Sequence, residues 1–173
     1  MKNQITYGAS IFDFDETVGY SNNVVIAFKG KQSFTIKSNE WPMVGEKYKN
    51  DGWNFDFTDF NKVTDGTPGP LINKLKNQIN KYGNESVFIL TARHSDSESA
   101  IYEWLLTQNI KLKLENVIGI GNSSGEAKAE WIKNNLINHG VKDIYFVDDA
   151  FSNVKAVKDM FKEYPKGFLV KGG

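Results

Sequence analysis

The sequence predicts an α/β fold: a Rossmann-like parallel sheet with helices on both faces, plus a β-hairpin insertion. Apolar strand-like segments alternate with segments whose apolar residues recur at helical spacing. Most strand segments are apolar throughout, which is typical of strands covered on both faces. Repeated strand-then-helix order favours parallel pairing with right-handed crossovers. We therefore expect a single domain over residues 1–173, interrupted by an insertion at about 18–68.

Five strands and four helices are predicted in alternation. The strands are expected at 9–14, 86–90, 116–120, 143–147 and 167–170. The helices are marked by the apolar stripes Leu71/Leu75/Ile79, Ile101/Trp104/Leu105, Ile132/Leu136 and Val154/Val157/Phe161. Two serine-glutamate pairs at capping-box spacing, within 95–98 and 123–126, predict that helices begin near residues 96 and 124.

The insertion breaks this alternation and is expected to cover the functional site. A β-hairpin is predicted with strands at 24–29 and 33–37, joined by Gly30-Lys31. An irregular stretch should follow, containing the aromatic residues Trp41, Tyr48, Trp53, Phe55, Phe57 and Phe60. Most of these rings are expected to pack together, although Trp41, Trp53 or a neighbouring phenylalanine could stack on a nucleic-acid base instead.

Composition narrows the classes of partner. The 21 basic and 21 acidic residues cancel, and the insertion holds six lysines and six acids, so we expect no extended duplex binding. The absence of cysteine excludes disulfides and thiolate catalysis and fits an intracellular location. No segment approaches the ~20 apolar residues of a membrane span, and no apolar leader precedes the first strand. We therefore expect a soluble, cytoplasmic protein without membrane contact.

Two carboxylates follow the first predicted strand. Because side chains of an extended strand alternate between faces, Asp13 and Asp15 should leave the strand on the same side. Such a pair can bind a hard cation, divide acid and base work, or do both, whereas the alternative is a solvated strand end. In open parallel sheets, ligands bind at the carboxyl ends of the strands, where these two residues are expected.

More polar residues are predicted at the same edge. Thr91 and Arg93 follow the second strand of the sheet, and a hydroxyl and a guanidinium both suit phosphate oxygens; a turn threonine and a surface arginine are the alternative. Lys128 lies in the first turn of a helix, where its charge favours an anion more than it favours the helix. Asp148 and Asp149 end a later strand and repel each other unless a cation lies between them.

In this order, these residues resemble the four motifs of the haloacid dehalogenase superfamily of phosphatases and phosphotransferases. The segment 13–17, with Asp13, Asp15 and Thr17, resembles the first motif, Thr91 the second, Lys128 the third, and the acid pair 148–149 the fourth. The resemblance covers nearly the whole chain apart from the insertion, which corresponds to the variable flap and small cap of that family. The Thr-x-Arg form of the second motif is similar to that of polynucleotide phosphatase relatives.

The resemblance implies a magnesium-dependent phosphatase, a hydrolase of phosphomonoesters that works through an aspartyl-phosphate. Asp13 would be the nucleophile, and Asp15 would be the general acid and then the general base. Thr91 and Lys128 would hold the phosphoryl oxygens. Two more residues, Thr17 and Arg93, are candidates for substrate binding, and in the polynucleotide phosphatase relatives the arginine serves the substrate phosphate.

The resemblance also implies a ligand set for Mg²⁺. The ion would be bound by the Asp13 side chain, the Asp15 backbone carbonyl and an acid of the fourth motif. The family pattern favours Asp149 as the direct ligand and gives Asp148 the role of orienting Lys128 or a metal-bound water. Asn153 could reach such a water or help to begin the last helix.

The expected substrate is a nucleotide, an oligonucleotide end or another small phosphate ester. Two alternatives from other classes remain open. Phosphoacceptor signalling modules place acids, a hydroxyl and a lysine at the same edge of a parallel sheet, but in a different sequence order. A non-catalytic binding module on the same fold is the second alternative, although every expected catalytic position is occupied here.

Overall fold

The computed structural model describes residues 8–163, which form nine strands and five α-helices. The strands are β1 (Gly8–Phe12), β2 (Gly19–Tyr20), β3 (Val24–Lys29), β4 (Gln32–Lys37), β5 (Asn54–Asp56), β6 (Thr67–Pro68), β7 (Val87–Thr91), β8 (Val117–Gly119) and β9 (Asp143–Val147). The α-helices are α1 (Trp41–Asn50), α2 (Ile72–Tyr82), α3 (Glu98–Thr107), α4 (Gly125–Asn135) and α5 (Phe151–Met160). Within the described range, no helix is both long and apolar enough to span a bilayer.

A four-stranded parallel sheet forms the centre of the fold, with strand order β8-β7-β1-β9. β1 pairs with β7 on one side and with β9 on the other, so that Phe12 lies beside both Ile89 and Val147. All five residues of β7 are buried, as expected for a strand covered on both faces. Four predicted sheet strands are thus confirmed, and the fifth, at 167–170, lies outside the described residues.

Helices cover both faces of this sheet, which confirms the predicted Rossmann-like α/β class. Alternate residues of β1 point to opposite sides: Ile11 belongs to the apolar cluster under α4 and α5, and Phe12 to the cluster under α2 and α3. Leu75 of α2 and Leu105 of α3 are fully buried in the second cluster. Each such side chain contributes about 1.5–3 kcal/mol on burial, so the core fixes the sheet edge that follows β1.

The insertion contains the predicted hairpin. β3 and β4 pair antiparallel, with Lys29 opposite Gln32, so β4 begins one residue earlier than expected. Gly30 in the turn has φ +61°, a conformation that two-residue hairpin turns require and glycine adopts without strain. β5 pairs with the other side of β3 and completes a three-stranded sheet with the order β4-β3-β5.

The stretch after the hairpin is not irregular, so that expectation is wrong. Residues 41–50 form α1, in which Pro42 occupies the first turn, where its missing N–H costs no hydrogen bond. β5 is only three residues long and is held by its pairing with β3, a tertiary contact that no local pattern reveals. The expected packing of most rings is confirmed, because the cluster built on Val25, Ala27 and Ile36 includes Trp41, Tyr48, Trp53, Phe55 and Phe60.

The two predicted helix starts have different outcomes. Ser124 caps α4, since its Oγ accepts a hydrogen bond from the Ala127 N–H at 3.2 Å, and the helix begins where expected. α3 begins only at Glu98, after a 3-10 helix at Ser95–Ser97 whose cap is the His94 Nδ1, 3.1 Å from the Asp96 N–H. Glu98 instead accepts the Gly119 N–H at 2.8 Å, so it ties α3 to β8 rather than closing a capping box.

Candidate functional site

The predicted site residues meet at one edge of the parallel sheet. Asp13 directly follows β1, Thr91 ends β7, and Asp148 directly follows β9. Because β7 and β9 flank β1, their carboxyl ends lie side by side. Lys128 reaches this edge from the first turns of α4. The order of the strands therefore brings together residues that are more than a hundred positions apart in sequence.

A buried lysine links two of the carboxylates. The Lys128 Nζ donates to the Asp13 Oδ1 at 2.8 Å and to the Asp148 Oδ2 at 2.7 Å. All three side chains lie almost entirely out of solvent, and the lysine residue is only 1% exposed. A charge this deeply buried is tolerated only when it is paired and hydrogen-bonded. One ammonium thus partly neutralises two acids, leaving the three groups with an excess of negative charge.

Burial and these neighbouring charges shift the pKa values of Asp13 and Lys128. Burial raises the pKa of Asp13 well above its usual value; the nearby Asp148 carboxylate raises it further, and the Lys128 ammonium opposes both. Burial by itself lowers the pKa of Lys128, but the charges of Asp13 and Asp148 outweigh that effect and raise it. The lysine is therefore a permanent cation at neutral pH, and the site favours added positive charge.

The two acids after β9 have different surroundings. The Asp148 Oδ2 accepts from the Asn153 Nδ2 at 3.0 Å as well as from Lys128, and its Oδ1 accepts the Ala150 N–H at 2.9 Å. Both oxygens of Asp148 therefore have protein donors. Asp149 is exposed, and its Oδ1 lies 3.4 Å from the Thr17 Oγ1. Asn153 begins no helix, since α5 already starts at Phe151, and instead it orients Asp148.

Thr17 connects the two sides of the site. Its hydroxyl is fully buried and lies 3.2 Å from the Asp13 Oδ2 and 3.4 Å from the Asp149 Oδ1. A hydroxyl carries one proton, so it donates to one of these acceptors at a time. Thr17 reaches this place because the chain turns sharply after β1, with the N–H groups of residues 17–19 donating to the Phe14 carbonyl.

Glu16, which the sequence alone does not mark as a site residue, lies in this turn. It has φ +66°, a left-handed conformation that costs a residue other than glycine about 1 kcal/mol or more. Burial raises the pKa of Glu16, and the negative charges of Asp149 and Asp15 raise it further. The signal in the sequence was its position between Asp15 and Thr17, and the structure makes it a further acid at the rim of the site.

Carboxylate oxygens at this edge could hold a cation. One oxygen from each of Asp13, Asp148 and Asp149 lies within 4.8 Å of the others. An all-oxygen set of this kind suits Mg²⁺, which prefers few carboxylates and keeps several waters. Since Asp149 is exposed, the cluster opens toward solvent on that side. The residues present therefore fit the expected ion.

Asp15 has a different partner from Asp13. The guanidinium of Arg93 binds it through two parallel hydrogen bonds, Nε to Oδ2 at 2.9 Å and Nη2 to Oδ1 at 2.7 Å. The Arg93 side chain is 2% exposed, whereas that of Asp15 is 26% exposed. The arginine is paired with an acid, as in the alternative interpretation, but it is buried rather than on the surface.

The rest of the Arg93 guanidinium contacts the insertion. Nη1 donates to the backbone carbonyls of Phe60 at 3.0 Å and Lys62 at 2.7 Å. Nη2 also lies 3.2 Å from the Ser21 Oγ and 3.3 Å from the Asn23 Oδ1. The five N–H groups of an arginine are thus all directed at protein acceptors here. Thr91 is buried next to it, and its Oγ1 accepts the Arg93 backbone N–H at 3.1 Å.

No protein-family model matches the sequence, and no curated protein matches it. Among solved structures, the chain is similar to the hypothetical protein PH1952 from Pyrococcus horikoshii OT3, with 15% sequence identity. The match covers 95% of this chain and 41% of that protein, so the chain spans less than half of that protein's length. The TM-score is 0.30, which is too low to support an argument about fold or function.

Proposed function

We propose that the protein is a magnesium-dependent phosphomonoester hydrolase of the haloacid dehalogenase type, with Asp13 as the nucleophile. One observation carries this proposal: a buried ammonium lies between Asp13 and Asp148, at the sheet edge that Thr91 also reaches. A carboxylate attacks a phosphate dianion only if their mutual repulsion is offset. The Lys128 charge is in the right place to offset it.

In the proposed reaction, an Asp13 oxygen bonds to phosphorus while the bond to the ester oxygen breaks. Asp15 gives its proton to the departing alcohol, so the products of this step are the alcohol and an aspartyl-phosphate. Asp15, now ionised, removes a proton from water, and the water oxygen attacks phosphorus to release phosphate and restore Asp13. Lys128 and Thr91 hold the phosphoryl oxygens during both steps.

The cation would be held by the Asp13 carboxylate, the Asp15 backbone carbonyl and Asp149. When bound, it supplies the positive charge that the acid-rich cluster favours and lowers the repulsion between carboxylate and phosphate. The surroundings of the acid pair support Asp149 as the direct ligand, because both Asp148 oxygens already accept protein hydrogen bonds. Asp148 would then orient Lys128.

The substrate we propose is a nucleotide, an oligonucleotide end or another small phosphate ester. The balanced charge of the insertion supports a compact substrate over a long duplex, which requires a basic track. Among the six aromatic residues named in the insertion, all of which the structure describes, Phe57 alone is largely exposed, at 47%. It is therefore the candidate for stacking on a base.

The test is a phosphatase screen over nucleotides, oligonucleotides with 3′- or 5′-phosphates, sugar phosphates and phosphopeptides, each with Mg²⁺ and with EDTA. We expect Mg²⁺-dependent phosphate release that the Asp13→Asn variant reduces by a factor of about 10⁴ or more, as for loss of a covalent nucleophile. Asp143→Asn is the matched control, because Asp143 is exposed at the opposite end of β9 and should leave the rate unchanged.

Labelling with acetyl phosphate separates the alternatives. A stable aspartyl-phosphate on Asp13 without turnover would indicate a phosphoacceptor signalling module. If Asp13 is not labelled and no substrate is hydrolysed, the enzymatic proposal is overturned and a binding role is left.

A further inference from the structure

We infer that the insertion positions Asp15 for proton transfer, and that it does so through Arg93, with Asn23 as the connecting residue. This inference rests on the proposed function, since it assigns Asp15 the transfer of a proton to the leaving group. It gives Arg93 the role of a positioning residue rather than that of a ligand for the substrate phosphate.

Arg93 joins Asp15 to the insertion at four points. Two of its hydrogen bonds fix both Asp15 oxygens, and the other N–H groups point to the Phe60 and Lys62 carbonyls and to Ser21 and Asn23. The Phe60 ring adds a cation-π contact, with its centroid 4.8 Å from the guanidinium carbon. A planar fork with every donor engaged has one orientation, so the carboxylate that it binds has one orientation as well.

Asn23 holds this arrangement from the side of the insertion. It lies in the loop that joins β2 to β3 and is fully buried, although it belongs to none of the four motifs. Its Nδ2 contacts the Asp59 carbonyl at 2.8 Å, and the Asp59 Oδ2 and the Thr64 Oγ1 at 3.1 Å. Its Oδ1 accepts the Thr64 N–H at 3.2 Å and faces Arg93. A buried amide that meets five partners specifies their positions, because any shift leaves buried polar groups unpaired.

The same contacts argue against a direct role of Arg93 in binding phosphate. To bind a substrate oxygen, the guanidinium would have to release Asp15 or one of its acceptors in the insertion, and a buried group left unpaired costs about 1–3 kcal/mol. Lys128 already supplies a cation beside Asp13, and Thr91 ends a strand at the same edge of the sheet. The geometry therefore favours an arginine that acts on the proton donor.

The positioning role has a kinetic signature. In kcat/KM, the first irreversible step is phosphoryl transfer to Asp13, in which Asp15 protonates the leaving oxygen. A poor leaving group depends on this proton, and a good one depends on it much less. Phenyl phosphate and 4-nitrophenyl phosphate have the same phosphate and nearly the same shape but differ in the basicity of the leaving oxygen. Their ratio of kcat/KM values therefore reports the placement of Asp15.

The experiment measures this ratio for wild type, Asn23→Ala and Arg93→Lys in Mg²⁺. We expect kcat/KM for phenyl phosphate to fall about tenfold or more in both variants, while the value for 4-nitrophenyl phosphate falls by less than about threefold. Asn22→Ala is the matched control, since the side chain of the exposed neighbour Asn22 donates a hydrogen bond to Asp65 within the insertion and is not among the hydrogen-bond partners of Arg93 described above. Its ratio should equal that of wild type.

Equal losses with both substrates would overturn the inference. In Arg93→Lys they would indicate contact with the phosphate that the substrates share, and in Asn23→Ala a general disturbance of the fold. If Asn23→Ala does not fold, Ser21→Ala and Arg93→Lys decide: unchanged ratios in both would reject the positioning role. A wild-type protein that hydrolyses neither compound, nor any substrate of the wider screen, would instead reject the proposed function.

Discussion

The two carboxylates after β1 are one residue apart, yet they belong to different regions of the molecule. Asp13 lies in the buried charge cluster, where one lysine serves two acids. Asp15 lies at the boundary with the insertion, where one arginine serves one acid through a bidentate pair. An ammonium shared between two carboxylates leaves an excess of negative charge. A guanidinium that forms two hydrogen bonds to one carboxylate instead fixes the orientation of that carboxylate. Spacing alone therefore does not make the two acids equivalent.

The backbone explains how two acids separated by a single residue come to differ. Asp13 still belongs to the sheet, because its N–H donates to the Val147 carbonyl at 2.8 Å. Asp15 lies in the turn beyond it and forms an isolated bridge with Gly19, at the start of the insertion. Phe14 between them is fully buried and contacts Arg93 through its ring, 5.3 Å from the guanidinium carbon. The strand thus fixes one acid, and the turn delivers the other to the insertion.

The contrast between Asp13 and Asp15 predicts the largest loss of activity for a change at Asp15, the proposed proton carrier. Asp15→Asn cannot give or accept that proton, so we expect kcat/KM for a poor leaving group to fall by a factor of about 10²–10⁴. The loss should be much smaller for 4-nitrophenyl phosphate. Steady-state kinetics with phenyl and 4-nitrophenyl phosphate measures both values, and an equal loss for the two would mean that Asp15 does not protonate the leaving group.

The next effect is expected at the shared cation. Lys128→Met keeps an unbranched side chain, one atom shorter, but removes the charge, so kcat/KM should fall about 10²–10³-fold for both leaving groups alike. The two buried acids lose their common partner, and unfolding in urea should show a destabilisation of about 3–5 kcal/mol. Mg²⁺ should recover part of this stability, since the cation replaces some of the missing charge.

The matched control for this variant is Lys155→Met. Lys155 also pairs with an acid, Asp159, at 2.7 Å, but on an exposed helix face where ion pairs contribute little. We expect no measurable change in activity or in the urea midpoint. If Lys155→Met lowers activity and stability as much as Lys128→Met does, then losing any lysine charge would cause the damage, and the burial of Lys128 between two acids would not be its cause.

The sequence predicted the charged cluster much better than it predicted the Arg93 pair. Asp13, Lys128 and the acids at 148–149 are each placed by the end of a regular element, and strand order alone then makes them meet. The partner of Asp15 depends on where Phe60, Lys62 and Asn23 lie, and these positions follow from the packing of the insertion. Nothing in the local pattern of residues around Asn23 marks it as buried.

The error in the insertion itself has a different cause. The hairpin was predictable because alternation and a glycine turn are local signals. α1 was not, although Trp41, Val44 and Tyr48 recur at helical spacing and pack on the cluster of the insertion, because the poor helix formers Pro42 and Gly45 stand among them. Its position depends on Trp41, whose ring contacts Phe55 and Phe57 edge-on at 4.8 and 5.2 Å. An apolar stripe interrupted by a proline and a glycine does not by itself distinguish a helix from an irregular segment.

Removing the charge of Asp13 should stabilise the fold, whereas Lys128→Met should destabilise it, and the effect should be smaller. Its pKa is raised in the folded protein, so the folded state binds the proton more tightly than the unfolded state. Stability therefore falls as pH rises from the usual carboxyl range through the raised pKa, and the cost is present above it. In EDTA at neutral pH, Asp13→Asn should therefore raise both the free energy of unfolding and the Tm.

Calorimetry over a range of pH checks both the size and the sign. The difference between wild type and Asp13→Asn should shrink as the pH is lowered, because protonation neutralises Asp13 in wild type as well. Saturating Mg²⁺ should reverse the order of stability, since it binds the ionised carboxylate better than the amide. A variant that is less stable than wild type in EDTA would show that the Lys128 pair outweighs the burial of Asp13.

The smallest effect tests how the lysine is delivered to the cluster. Lys128 reaches Asp13 from the beginning of α4, and Ser124 fixes that beginning through its hydrogen bond to the Ala127 N–H. Ser124→Ala should cost about 0.5–2 kcal/mol in urea unfolding, the usual contribution of an N-cap. Ser123→Ala is the control, since it is also exposed and precedes the cap. If Ser124→Ala lowers kcat/KM no more than about threefold, the cluster holds Lys128 by itself; a larger loss would mean that the helix start, as well as the ion pairs, places the charge beside Asp13.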